Sequence, residues 1–186
     1  MRKKIVIGIS LIEMLIVLTI IGIFATVILP SFSSLVHSSY LPVTTKAFVS
    51  SVQFARIEAI RRNKKVIMCA SQNGECNDNK SWENGWTVYV DVNANNHIES
   101  EEIIRVYPRL RQGYSLRPNV KLDALTFLPN ANVRKGNGGL PLMTFRLCAP
   151  GANKNIMSFS REIVMSASGR LRVQRGRPKV TQCATK

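Results

Sequence analysis

The sequence predicts an α+β protein, with one long N-terminal helix followed by a head of antiparallel strands. Three observations carry this reading. The apolar run Ile5–Leu29 is followed by an amphipathic helical pattern over Thr44–Asn63. From Lys65 the hydrophobic period changes to that of short strands bounded by Gly, Pro, Asn and Ser. No internal repeat or long low-complexity linker interrupts the series, and one helix followed by many short strands is the pattern of an antiparallel α+β domain.

Ile5–Leu29 holds 25 residues and a single charge, Glu13. As a helix it would extend about 37 Å, enough to cross a hydrocarbon core of about 30 Å with some tilt. Arg2, Lys3 and Lys4 precede it, so the positive-inside bias keeps the N-terminus in the cytoplasm and sends the remainder outward. No A-x-A-like site follows the apolar run, as a secretory signal would require. Instead Gly8 stands just behind the basic residues, and a cut after it would leave the apolar helix on the mature chain. Glu13 would then fall in the first helical turn, where the dipole favours a carboxylate and a neighbour's new α-amine could pair with it. A carboxylate inside an apolar span costs about 2.5–3.5 kcal/mol and is by default functional.

In the second helical pattern Phe48, Val52, Ala55 and Ala59 form one apolar stripe, with Lys46, Gln53, Arg56 and Arg61 largely off it. Pro42 disfavours helix at Leu41 and marks an expected break or bend. Strands are expected at Val66–Ala70, Trp86–Asp91, Ile103–Tyr107, Gly113–Arg117, Leu125–Leu128, Leu142–Leu147, Ile163–Ser166 and Arg170–Gln174. Asn73-Gly74 is a turn signal after the first, and Pro129–Gly139 is expected to be the most mobile loop. The chain length suits one domain of about 145–155 residues behind a membrane helix, enough for a self-sufficient core.

The charge is lopsided. Residues 1–104 carry 10 basic and 9 acidic side chains, whereas residues 105–186 carry 16 basic and only Asp123 and Glu162 as acids. This asymmetry points to an acidic partner, nucleic acid or an anionic surface, or else to a generally basic solvated face. Cys69, Cys76, Cys148 and Cys183 have no C-x-x-C spacing and no adjacent histidine, which argues against zinc. Beyond a membrane helix, on the oxidising side, they are expected to form disulfides. Of three connectivities, the preferred one is Cys69–Cys76, closing a local loop, with Cys148–Cys183 tying the tail back to a strand.

No nucleophile elbow, zinc-protease motif or phosphate-cradling loop occurs, so an enzyme is not expected. Asp91, Asn93, Asn95 and Glu102 approximate positions 1, 3, 5 and 12 of a calcium loop. Strands rather than helices flank it, and Asn and Asp build turns without metal, so no cofactor is expected. The strongest outward signal is the tail, Gly169-Arg170-Leu171-Arg172-Val173-Gln174-Arg175-Gly176-Arg177-Pro178-Lys179. In a strand Leu171 and Val173 would face inward, opposite Ile163 and Met165, and Arg170 and Arg172 would project together, about 6.5–7 Å apart. That approaches the spacing of successive phosphates along one DNA strand. Arg175, Arg177 and Lys179 would follow on a segment loosened by Gly176 and Pro178. With no acid after Glu162, nothing nearby is expected to neutralise this run. The bland alternative is a basic edge that discourages strand-to-strand aggregation.

The stretch Lys4–Glu13, with its short basic leader ending in Gly8 and a glutamate five residues beyond, resembles a type IV prepilin processing site. Pro30 falls where such pilins commonly carry a helix-bending proline; Ile9 departs from the usual phenylalanine. Ala55-Arg56-x-Glu58-Ala59-Ile60, the strand with Cys69, Gly85-Trp86-x-Val88-Tyr89-x-Asp91-x-Asn93 and Glu102-Ile103-Ile104-Arg105-Val106 extend the likeness to the GspH/FimT branch of minor pilins and pseudopilins. Gly169-Arg170-Leu171-Arg172 is similar to the GRxR motif of DNA-binding FimT minor pilins in transformable bacteria.

The resemblance implies a type IV pilin-like fold, a long N-terminal transmembrane and assembly helix packed on a sandwich of two antiparallel sheets. Its divisions would be a leader over residues 1–8, the membrane helix over 9–30, an amphipathic continuation over 31–64 and a β-rich head over 65–186. It implies cleavage by a prepilin peptidase between Gly8 and Ile9, N-methylation of Ile9, and assembly with other pilins in a register fixed by Glu13. The chain would begin as a single-pass protein of a Gram-negative inner membrane, its head in the periplasm, and pass into a pilus at the cell surface. Arg170 and Arg172 would be the core DNA contacts in natural transformation, with Arg175, Arg177 and Lys179 added from charge and position. The alternatives are a GspH-like type II secretion pseudopilin and a purely structural minor pilin.

Overall fold

The helix expected in two stretches is one, α1, spanning Leu11–Arg62. The computed structural model describes residues 10–72, 74–76, 81–95, 97–150, 159–176 and 183; side chains 27–37 lie outside this description. The chain divides into two units, Met1–His37 and Ser38–Lys186.

In the first unit the described apolar side chains, Leu11 to Phe24, are all exposed, and Thr19 and Thr26 donate their hydroxyls to the carbonyls of Ile16 and Ile23. Among the described residues no helix is long and apolar enough to cross a membrane. The expected span continues through side chains outside the description, and Gly8 and Ile9 lie outside it as well.

In the second unit the helical stripe is buried as the periodicity requires: Phe48, Val52, Ala55 and Ala59 are at most 2% exposed. Phe48 is its centre. Its ring meets Trp82 and Trp86 edge-on, with centroids 5.8 and 5.3 Å away, and Phe145 at 4.7 Å. Burying such a ring contributes about 1.5–3 kcal/mol. Pro42 does not break α1, contrary to the expectation. Leu41 is fully buried, and Tyr40 packs on Tyr114 while its hydroxyl accepts the Arg111 backbone N–H. Core contacts on either side of the proline thus outweigh its local preference.

The first sheet comprises β1 (Lys65–Gln72), β2 (Glu75–Cys76), β3 (Trp86–Asp91), β4 (Ile103–Tyr107), β6 (Ala124–Phe127) and β7 (Val133–Lys135). Their order is β4-β3-β1-β6-β7, with β2 paired to β1. The second is built from β5 (Ser115–Pro118), β8 (Met143–Cys148), β9 (Ser160–Met165) and β10 (Leu171–Arg175), in the order β10-β9-β8-β5. Every pairing in both is antiparallel. Side chains alternate with period two. Val66, Met68 and Ala70 of β1, Trp86, Val88 and Val90 of β3, and Met143, Phe145 and Leu147 of β8 enter one core with the α1 stripe. β7 is a correction, because it lies inside the stretch expected to be a mobile loop. Val133 is buried and pairs with Phe127, and Gly136 N–H closes on the Ala124 carbonyl.

Cys69 is bonded to Cys76 across the β1–β2 hairpin, and Cys148 of β8 to Cys183. The second unit thus holds the described hydrophobic core and both disulfides. At the end of α1, Glu58 accepts hydrogen bonds from Arg61, at 2.9 and 2.7 Å, and from Arg62 at 2.6 Å. These bonds, Arg61's foremost, hold its carboxyl down to about 2 from an ordinary 4.5. A depressed carboxyl stabilises the fold fully above its unfolded value and loses that contribution as pH falls through its folded value. In urea titrations, Glu58→Gln should therefore be less stable than the parent at pH 6. The difference should shrink as pH falls from about 4.5 to about 2.

Candidate nucleic-acid interface

Of the residues expected to meet DNA, Arg170, Arg172 and Arg175 sit on the β9–β10 hairpin, whose second strand is an edge of its sheet. Ser166, Ala167, Ser168 and Gly169 form the turn, with Gly169 N–H donating to the Ser166 carbonyl at 2.8 Å and Ser166 N–H to the Arg170 carbonyl at 3.0 Å. The three residues between the bonded Ser166 and Arg170 need a left-handed residue at their last position, and Gly169 supplies it with φ +73°. A Cβ there would also come within 2.6 Å of Val133 Cγ2 and 3.3 Å of Arg56 Nη2. The glycine of the motif is thus dictated by conformation and by close approach.

Arg56 of α1 fixes this turn. Its Nε donates to the Ala131 carbonyl at 3.0 Å and its Nη2 to the Ser168 carbonyl at 2.7 Å. One guanidinium therefore ties the helix to the β6–β7 and β9–β10 turns together. In the sequence Arg56 stood as a residue off the apolar stripe and as part of the Ala55–Ile60 stretch that carries the family likeness, with no contact to the tail expected of it. The local signal for its role is an arginine one position after the buried Ala55, at the stripe's edge.

Arg170, Arg172 and Arg175 are exposed, and their side chains make no hydrogen bond or ion pair among the described residues. The β9–β10 register sets Leu171 opposite Met165, Arg172 opposite Val164 and Val173 opposite Ile163. Leu171 is half-buried against the core, but Val173 remains 46% exposed, a correction to the inward placement expected. Because β10 is an edge strand, Val173 lines a cleft with Lys46, Val49 and Gln53 of α1. Gly176 is a second correction. It is buried, and a Cβ there would lie 1.8 Å from Ser160 Oγ, so it marks close packing and does not loosen the strand end. Arg177 and Lys179 lie outside the described residues.

Glu162, the last acid of the chain, is buried opposite Gln174 of β10. Arg146 Nη2 donates to Glu162 Oε1 at 2.5 Å and Gln174 Nε2 to Glu162 Oε2 at 2.9 Å. This carboxylate is compensated internally and leaves the edge arginines their charge. Nothing in the spacing of Arg146 and Glu162 signals this pairing; the β8–β9 register makes it.

The other basic stretch is differently disposed. Arg105 covers the Phe54 ring at 4.1 Å, Arg111 the Tyr40 ring at 4.8 Å, and Arg117 pairs with Glu83 at 3.3 Å. These arginines are engaged within the fold.

The calcium-like loop follows β3. Asn93 and Asn95 side-chain amides both donate to Glu99 Oε1, and the side-chain oxygens of Asn93 and Asn95 accept the backbone N–H of Asn95 and His97. Glu102 Oε1 accepts the Val92 N–H at 2.8 Å, and Asp91 pairs with Lys65 at 3.2 Å. The asparagines thus act as turn formers. Among the described residues no group of three or more His, Cys, Asp or Glu could hold a metal. The nearby Tyr89 hydroxyl is pushed up to about 12, chiefly by burial and also by the charges of Asp91 and Glu102. Glu13 is exposed in the first turn of α1.

A long N-terminal helix leading into a head of two antiparallel sheets is the architecture of type IV pilin-like proteins. The chain belongs to the GspH family: the family described as Type II transport protein GspH matches residues 44–169, ending one residue before Arg170. It is thus a minor pilin or pseudopilin, a structural protein of a pilus-type assembly in the cell envelope. The chain is 28% identical to a pilin-like protein, PilA1, of Thermus thermophilus, over 90% of this chain and 97% of that one. The minor pilin FimU of Pseudomonas aeruginosa shares the fold with a TM-score of 0.54 at 18% identity, covering 72% of this chain and 92% of that one. The minor pseudopilin EpsH of the Vibrio cholerae type 2 secretion system shares it at 0.50 and 12% identity, over 73% and 97%.

Gly169→Ala should destabilise the head by about 1–3 kcal/mol through the left-handed φ alone. The approach to Val133 adds to this. Chemical denaturation measures the loss.

Proposed function

We propose that the chain is a FimT-like minor pilin that binds extracellular DNA through the β9–β10 edge, for uptake in natural transformation. The observation that carries this reading is the contrast between two sets of arginines. Arg170, Arg172 and Arg175 point outward without partners among the described residues, whereas Arg105, Arg111 and Arg117 are taken up by rings and a carboxylate. Exposed, uncompensated guanidinium groups at alternate positions of one strand, Arg170 and Arg172, share a face and suit successive phosphates, while Arg175 stands on the other face of the same edge. Arg177 and Lys179 would extend the row.

In this reading a prepilin peptidase cuts after Gly8, Ile9 is N-methylated, and the apolar helix of residues 9–30 holds the protein in the inner membrane until assembly. Glu13 then pairs with a neighbouring pilin's α-amine and sets the register. The pilus retracts with its DNA. A second reading, a type II secretion pseudopilin, is favoured by the family's description and the likeness to EpsH. In it the same edge faces solvent without a nucleic-acid partner.

DNA binding by the Ser38–Lys186 unit across a salt series separates the two. Binding should tolerate sequence changes, since phosphate contacts carry little base information. With about four phosphates neutralised, log K should fall against log salt with a slope of about −3.6. Arg170→Gln/Arg172→Gln should abolish most of it. No binding at low salt by the disulfide-bonded domain contradicts the DNA reading and leaves the pseudopilin.

A further inference from the structure

The open edge of β10 carries features that phosphate contacts leave unused. The first is its main chain. Ser166 N–H donates to the Arg170 carbonyl, and Gly176 N–H to the Ser160 carbonyl. Bonded and non-bonded residues alternate in an antiparallel pair, so positions 170, 172, 174 and 176 bond to β9. The N–H and C=O groups of Leu171, Val173 and Arg175 therefore point away from β9, and no strand among the described residues pairs with that side. The second feature is apolar. Val173, 46% exposed, borders a cleft of about 430 Å³ against α1 that has Pro42 and Val49 among its walls. Its charged residues are Lys46 and Arg161, and no carboxylate among the described residues lines it. The third is charge. The register sets Arg175 directly opposite Arg161 in a non-bonded pair, where side chains stand closest and like charges repel. Arg170 and Arg172 occupy the other face, so the edge is cationic on both sides.

We propose that the β10 edge accepts an extended segment of a partner protein as an added strand, one in which aliphatic side chains alternate with carboxylates. The main-chain groups of Leu171, Val173 and Arg175 bond to it. Its aliphatic side chains enter the cleft beside Val173, and its carboxylates, on the other face, lie across from Arg170 and Arg172. A nucleic acid supplies neither a pairing peptide backbone nor an aliphatic group for the cleft. The inference goes beyond the DNA-binding reading and does not depend on it.

The test uses the full chain in neutral detergent, with fluorescence anisotropy of a labelled, end-blocked peptide of alternating glutamate and valine. A backbone N-methylated form keeps the charge but cannot donate to the edge, and should bind about tenfold more weakly. A shuffled form with its valines contiguous should lose a similar factor. Val173→Pro removes an edge-facing N–H and leaves the bonds to β9 intact, so it should weaken the alternating peptide about tenfold. Ser50→Glu, at an exposed helix residue lining the same cleft, should weaken it about fivefold. Strand addition is wrong if the parent binds no peptide or binds the three forms alike. It is also wrong if both variants bind like the parent. If sedimentation shows the parent self-associating and Val173→Pro monomeric, a second copy holds the edge and the acidic partner is wrong. If the parent discriminates among the peptides but binds no DNA, the DNA reading falls and the added strand stands.

Discussion

The constraint on which the head depends is that one helical stripe must serve two sheets. Phe48, Val52, Ala55 and Ala59 are buried in a core to which β1, β3 and β6 contribute from one sheet and β5, β8 and β9 from the other. Alanine at two of four positions lets backbone approach backbone, while Phe48 fills the wider end against Trp82, Trp86 and Phe145. Once the stripe is seated, the rotation of α1 is fixed. Arg56, adjacent to buried Ala55, is then delivered to the two turns that it bridges. Core packing thus reaches the surface through a single side chain.

Much of the fold was legible because it rests on periodicity. The stripe, the bounds of β3 and β4 and the order of the short strands follow from alternation and turn residues. Features set by tertiary context were not. Pro42 carries a real local preference that the burial of Leu41 overrides, and β7 was hidden because Val133 is a lone apolar residue in a stretch rich in Asn and Gly. Gly176 reads as a loosening residue until Ser160 is seen against it. On the site, the motif located Arg170 and Arg172, but Arg56 lies more than a hundred residues earlier. No spacing rule connects a helix arginine to the carbonyl of Ser168.

Electrostatics give the two faces of this architecture different meanings. An isolated surface charge is worth little to stability, so arginines that remain unpaired at an edge are free to be used in binding. Glu162 could have cancelled them; instead Arg146 and Gln174 satisfy it below the surface. The hairpin presents its guanidinium groups on backbone held by a tight turn and a helix anchor. Membership in the GspH family accounts for the helix and the sheets. It covers a DNA-gripping pilus and a secretion pseudopilus alike, and the reading we propose assigns the difference to the last two strands.

The most direct measurement is a titration of the isotopically labelled Ser38–Lys186 unit with a short duplex, following backbone amide and arginine side-chain resonances. The account predicts that the largest shifts cluster at Ser168–Arg172 and Arg175. Shifts centred on Arg105–Lys121, or none at low salt, would contradict it.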